Sequence, residues 1–565
     1  MNESNLANSY NNLACLYSDI QRFTESEQMH KETLEIRKRL AKDNPKAYEP
    51  DLAISYNNLA GLYRVTQRFS KSEKMLKDAL EIDKRLAEDN PQVYEPNLAS
   101  TYNNLALLYN DIQRFTESEH MYNATLEIYK RLADSNPQAY EPELANSYYN
   151  LAILYSKTQR FTESEKMHNT ALEIRKRLTE TNPQAYEPDL ATSYNSLAIL
   201  YSQTQRFTES EKMHNTALEI RKRLTEINPQ AYEPDLAQSY HNLAILYGVT
   251  FRFTESENMN KEALIIFKRL ANVNPQAYES DLATSYNSLA NLYYTTQRFT
   301  ESEKMRKEAW GIIKRLAEIN PQTYEPELAK AYYNLANLYL DIHNFTESEK
   351  MYKAALCIFK RLLDTNPQIY ERNLAANYFG LASLYNITQR YTESEQMYKA
   401  ALGINKRLAE AYPQAYTPFL ATNYKALASL YCDIQRFTES EQMYKYSIEM
   451  YKRLTDADPQ IYKQSLTECY NYLVFLYILT KQIDQIEKYS KEVLTVDSNN
   501  LIAYTNLASA YLFQGKYAEA ERMYRQYKSE LKEHFLITLE TFAKAGVIPT
   551  ERMADVEKIK KMLNE

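Results

Sequence analysis

Residues Tyr10–His30 read YNNLACLYSDIQRFTESEQMH. The opening YNNLA returns at Tyr56–Ala60 and Tyr102–Ala106. Its tyrosine then recurs at Tyr148, Tyr194, Tyr240, Tyr286, Tyr332, Tyr378, Tyr424 and Tyr470, each step being 46 residues. A twelfth copy, YTNLASAYLFQGKYAEAERMY, starts at Tyr504 after a step of 34. A fixed period of this size marks a solenoid of stacked supersecondary units.

Each copy carries two helical patterns. Tyr10, Leu13, Ala14 and Tyr17 fall at i, i+3, i+4 and i+7, one face of a helix. Gln21-Arg22-Phe23 reads as a turn. Thr24 reads as the N-cap of a second helix, with Glu27 completing a capping box. Phe23, Ser26, His30, Thr33 and Leu34 form that helix's inner face, and Asn44-Pro45 ends it, because the residue before proline avoids helical angles. Tyr48–Asp51 opens the next copy, with Pro50 suited to a first turn. Seventeen of the 18 prolines lie in such junctions, Pro549 being the exception.

This pattern resembles the tetratricopeptide repeat: aromatic-x2-Leu-small-x2-Tyr, then small-x3-large in the second helix. With Tyr10 as position 4, Leu13 is position 7, Ala14 position 8, Tyr17 position 11, Ser26 position 20 and His30 position 24. The twelfth copy is nearest the family pattern, with Leu507, Ala508, Tyr511, Gly515, Tyr517 and Ala520. The other eleven place Gln21 or a counterpart where the family has a turn glycine, and add residues around the Asn-Pro junction. Such lengthened copies resemble those of kinesin light chains and bacterial tetratricopeptide proteins.

The expected fold is all-α: a right-handed superhelical solenoid of twelve helix-turn-helix repeats plus C-terminal capping helices. Residues 1–500 hold eleven 46-residue repeats, with motif starts near 7, 53, 99, 145, 191, 237, 283, 329, 375, 421 and 467. Residues 501–534 hold the twelfth, and 535–565 the capping helices, with Gly546 between two of them. At the other end, either the first repeat caps itself with polar residues or an upstream domain is absent.

Composition narrows the function. A net charge of −7 and a pI of about 5.8 argue against a nucleic-acid surface. No apolar run reaches membrane-spanning length, and MNESNLANSY is no signal peptide. Cys15, Cys357, Cys432 and Cys469 share no close spacing, which suits a reducing cytoplasm and no metal site. His30, His168 and His214 occupy a packing position, and Met29 with its counterparts forms a packing column. There is no P-loop, G-x-G-x-x-G or G-x-S-x-G, so neither enzyme nor cofactor is expected. The mixed-sign runs of the second helices read as solvated faces with i, i+4 pairs.

At 100° per residue, positions 2, 6, 9 and 13 of the first helix lie opposite the packing face. In the family this set lines the concave surface where peptides bind. Position 6 is asparagine at Asn12, Asn58, Asn104, Asn150, Asn242, Asn334 and Asn506. In kinesin light chains an asparagine here hydrogen-bonds the ligand's main chain, so the resemblance implies a ladder. A carboxamide has both donor and acceptor and can pair with either half of a peptide unit. The alternative is that these asparagines bond the neighbouring repeat and fix helix stacking. Position 5 (Asn11, Asn57, Asn103) varies later to Tyr149, His241, Tyr333, Phe379 and Lys425, which fits groove selectivity or an unconstrained edge. Position 9 offers the apolar run Leu107, Ile153, Ile199 and Ile245 beside the ladder. The ladder fades at Gly380, Ala426 and Tyr472, so a ligand is expected along the N-terminal half.

The sequence therefore implies a non-catalytic scaffold that binds a peptide or helical segment of a protein partner, with no nucleic acid and no membrane. A second reading is a sensor array regulating an effector domain of a larger bacterial signalling or defence protein. The oligomeric state is not legible.

Overall fold

The computed structural model describes residues 3–20 and 22–565, with Gln368 described for its backbone alone. Among them are twenty-six α-helices, one short 3-10 turn and no strand. The chain forms two compact bodies, Met1–Glu325 and Pro326–Glu565.

Repeat two shows the plan. Its helices are Pro45–Val65 and Phe69–Asp89, 21 residues each, and the next first helix begins at Pro91. Connectors of three residues and one residue thus complete the period, and the added length becomes helix rather than loop. The first helix starts at Pro45, not near Pro50. Asn44 turns the chain in one residue, at φ −143° and ψ 85°, and Pro45 takes the N1 place, where no N–H is needed. Pro50 lies inside the helix and leaves the Lys46 carbonyl without its i+4 donor. Lys46 itself is exposed, so the break falls at the surface. Ser280, Arg372 and Gln464 stand at the same place in other repeats, so the proline is tolerated, not required.

The second helix begins at Phe23, two residues earlier than a Thr24 cap requires. Arg22 and its counterparts are the N-caps, with no side-chain capping bond, in repeats one to seven. The cause is the preceding turn. Gln67 adopts the left-handed region at φ +56°. Its N–H reaches Arg64 O at 3.0 Å and that of Arg68 reaches Tyr63 O at 2.8 Å. These two bonds close a Schellman motif that ends one helix while Arg68 starts the next. Glu27 is not a capping group; it faces the following repeat. Gln21 lies outside the described residues.

The two helices of a repeat approach closely because positions 8 and 20 are small. Ser26 Oγ donates to Ala14 O at 2.8 Å, and Ser72 to Ala60, Ser118 to Ala106 and Ser164 to Ala152 repeat the bond at 2.7–2.8 Å. Each such buried bond contributes about 1 kcal/mol. In the second body the twelfth repeat has helices Leu501–Phe513 and Tyr517–Gln526. A new helix, Lys528–Lys544, follows one residue later, so a boundary at 534 would cut it. Gly546 ends that helix at φ +64°, and Met553–Asn564 is the last helix. Leu531, Phe535, Leu539, Phe542, Ile559 and Leu563 are fully buried there, sealing the last repeat.

Candidate functional site

Positions 2, 9 and 13 of the first helices are mostly solvent-facing, as the helical period requires: Ile54, Gly61 and Val65 in repeat two, Gln238, Ile245 and Val249 in repeat six. Ile199 is 42% and Ile245 49% exposed, whereas Leu107 and Ile153 are half-buried, Leu107 against a cluster that includes Tyr122 and Leu151. The apolar run is thus open only in its second half. There it continues through Val249 to Phe251, which is 79% exposed.

The asparagines at positions 5 and 6 interlock between repeats. Asn58 Nδ2 donates to Asn11 Oδ1 at 2.9 Å, Asn104 to Asn57 at 3.0 Å, Asn150 to Asn103 at 3.0 Å and Asn242 to Asn195 at 2.8 Å. Position 5 is therefore a stacking residue. Asn11, Asn57 and Asn103 are half-buried acceptors for the next repeat, not free groove contacts. In four places a bulky position 5 meets a small next position 6: Tyr149 with Ser196, His241 with Ser288, Tyr333 with Gly380 and Phe379 with Ala426; Lys425 with Tyr472 is the exception. Tyr149 and Ser196 share a hydroxyl–hydroxyl bond of 2.9 Å.

The ladder reaches inward. Asn57 Nδ2 also donates to Thr101 Oγ1 at 2.7 Å, and Thr101 donates to Asp83 Oδ2 at 2.6 Å. Burial pushes the Asp83 carboxyl up to about 6, against the lowering effect of the Thr101 bond. On the outer side, the position-6 amide is used and its oxygen is left. Asn58, Asn104 and Asn150 accept no bond at Oδ1 from the described residues. Asn242 Oδ1 accepts from Gln238 at 3.0 Å. Among the rest, Asn12 is exposed and Asn334 half-buried. Asn506 is 6% exposed inside the C-terminal core and cannot serve a surface ladder.

The charged runs do more than face water. Glu27 accepts from Tyr63 OH at 3.1 Å and from Arg68 Nη1 at 2.6 Å, both in the next repeat, while the Arg68 guanidinium lies 4.5 Å from the Tyr63 ring centre. Burial would raise the Glu27 carboxyl, but hydrogen bonds from Lys31 and Arg68 hold it at about 2. The same clamp joins Glu119, Tyr155 and Arg160, and Glu211, Tyr247 and Arg252. Arg37 is buried and donates to Asp51 O and Ser55 Oγ, each at 2.8 Å. The sequence carried the signal as a spacing: these partners stand 36, 41, 14 or 18 residues apart, not four.

His30, His168 and His214 are buried at position 24. Burial lowers each imidazole to about 4, with Arg175 adding to the effect at His168 and Arg221 at His214. Among the described residues no three His, Cys, Asp or Glu side chains gather as a metal would need. No helix there is long and apolar enough to cross a membrane.

Models of the tetratricopeptide repeat match residues 51–131, 97–177, 143–223 and 189–269, then 6–45, 282–321, 328–368 and 501–526, and 375–407. The chain belongs to the tetratricopeptide repeat family. No curated protein matches its sequence. Among solved structures it is similar to BtubC (BKLC) from P. vanneervenii, with 25% identity and a TM-score of 0.37 over 45% of this chain and 92% of that one. It is also similar to the nearly identical TPR-like repeats of a putative kinesin light chain from Podosopora anserina. There the identity is 16% and the TM-score 0.32, over 40% of this chain and 98% of that one.

Proposed function

We propose that the chain is a non-catalytic scaffold, placed in the cytoplasm, whose first-helix face holds a segment of a protein partner. One observation carries this reading: a row of carboxamide oxygens, each oriented by its own inter-repeat bond, runs into the exposed Ile199, Ile245 and Val249. Acceptors fixed before binding cost no reorganisation when a peptide N–H arrives. The open isoleucines supply an apolar contact that isolated exposed residues would not. Each rung thus offers its carboxamide oxygen together with the one amide hydrogen that stacking does not use. Four unpaired thiols suit the location.

The test is photo-crosslinking in native lysate from a probe at Ile245, compared with one at the exposed Ile227 on a second helix. A partner adduct is expected at 245 and not at 227, and Ile199→Glu should abolish it. Equal labelling at the two sites, or indifference to Ile199→Glu, would sink the reading.

A further inference from the structure

The first helix of repeat six has a glycine at position 12, Gly248, where repeats five, seven and eight have Ser202, Tyr294 and Leu340. That helix runs from Pro229 to Val249, so Gly248 is helical and takes no left-handed angle. Packing does not require it either: a Cβ there would meet only Ser256 Oγ, at 3.6 Å, an ordinary contact. Glycine inside a helix costs stability relative to a side chain that fits. The fold gives no reason for Gly248, which leaves the close approach of another molecule.

Gly248 makes a dent in an apolar patch. Ile245 and Val249 stand beside it on the same helix, Phe251 follows in the turn, and Ile199 continues the patch in repeat five; all four are exposed. The surrounding face carries no charge. Positions 2, 6, 9 and 13 of repeats five to seven hold only Thr, Ser, Gln, Asn, Ile and Val, in a chain of which 25% is charged. In repeats one, three and four, position 13 is Asp19, Asp111 and Lys157. The arginines that follow the turns, Arg206, Arg252 and Arg298, are held by Glu165, Glu211 and Glu257. Polar groups of the face are engaged within the chain: Thr192 donates to Pro188 O at 3.0 Å, Thr284 to Ser280 O at 3.1 Å, and the buried Arg306 to Asn291 Oδ1 at 3.1 Å. A charged side chain brought here would lose its water and meet no opposite charge.

We infer that this face selects an uncharged segment of the partner, anchored by one aromatic side chain that enters over Gly248 between Ile245 and Val249. This rests on the partner-binding role proposed above. Gly248 is the specificity-determining residue: lacking a Cβ, it admits a flat ring to the helix backbone, while the branched side chains on either side supply apolar contact. The dent is only one side chain deep, which suits a ring, and Phe251 offers a second ring to meet its edge.

Random peptides displayed on phage are selected on the full chain, and the enriched sequences are made as labelled peptides for fluorescence anisotropy. The binders should carry an aromatic residue flanked by uncharged ones. Their affinity should change by no more than about twofold between low and high salt, because no ion pair forms. Gly248→Leu installs the residue that repeat eight has at Leu340. It should leave the denaturation midpoint unchanged or raise it, yet weaken binding by about tenfold or more, so that lost binding cannot come from unfolding. Binders rich in Asp, Glu, Lys or Arg, a steep salt dependence, or equal affinity for the Gly248→Leu chain overturns the inference. Binders indifferent to Gly248→Leu but lost with Ile199→Glu would overturn it and leave the broader partner-binding role standing. Binders indifferent to both, or no binders at all, would overturn it and count against that role as well.

Discussion

The Cβ that Gly380 lacks would lie 2.6 Å from the ring of Tyr352. Tyr352 is fully buried and packs edge-on to Tyr333, at 6.0 Å between ring centres, so it cannot swing aside. With the bulky Tyr333 at position 5, the Tyr352 ring takes the space a rung at 380 would enter; where position 5 is Asn103, the equivalent Tyr122 leaves room for Asn150. Restoring the rung with Gly380→Asn should destabilise the second body by roughly 1–3 kcal/mol, as overpacking does. Adding Tyr352→Leu should recover much of it, since Leu76 stands at that place in repeat two, beside Asn104. Urea denaturation of the three variants checks this; an unchanged midpoint for Gly380→Asn would refute the packing argument.

Asn57 accepts from Asn104 and donates to Thr101 and to Ala53 O, whereas Asn104 makes one side-chain bond. Asn57→Ala should therefore cost more than Asn104→Ala. Their double-mutant cycle should give a coupling of about 1 kcal/mol, the net worth of the shared bond. Additive effects would mean that the two carboxamides do not interlock.

Among the described residues, ten turns hold a non-glycine residue in the left-handed region: eight glutamine positions or their histidine and phenylalanine replacements from Gln67 to Gln389, followed by Gln435 and Lys481. A side chain there costs about 1 kcal/mol or more. Gln67→Gly should thus raise the denaturation midpoint, with a net gain of about 0.5–1 kcal/mol after the entropy of a freer unfolded chain. The twelfth turn already has Gly515, where a Cβ would collide with the Arg552 guanidinium. Gly515→Gln should destabilise. A loss of stability in Gln67→Gly would refute the strain argument.

His30, His168 and His214 have folded values of about 4 against an ordinary 6.5. Between those values the unfolded chain binds more protons, so stability is full above about pH 6.5 and is lost as pH falls through about 4. The depression corresponds to at most about 3 kcal/mol per histidine. His168→Leu, which installs the residue that repeat two has at Leu76, should flatten the fall in denaturation midpoint between pH 6.5 and 4. Identical pH profiles for wild type and variant would show that His168 is not buried uncharged.

Much of this was legible from spacing. The step from Tyr10 to Tyr56 gives the repeat, and Ser26 with Ala14 gives the close approach of its helices. The helix starts were not, because Pro45 and Pro50 both satisfy first-turn chemistry and only packing of the whole 21-residue helix chooses between them. The role of position 5 was hidden for a related reason. Asn57 shows its variability in the sequence, but the residue that compensates it, Asn104, is 47 positions away.

The sequence by itself determined the class of fold, the count of repeats and the packing letters, because periodicity is a local property that each copy restates. Only the tertiary structure decided what the two asparagines of YNNLA do. One is the acceptor and the other the donor of a bond between neighbouring repeats. It alone also showed that Leu16 is bare while Leu62 is covered, since two identical letters differ only in what stands next to them.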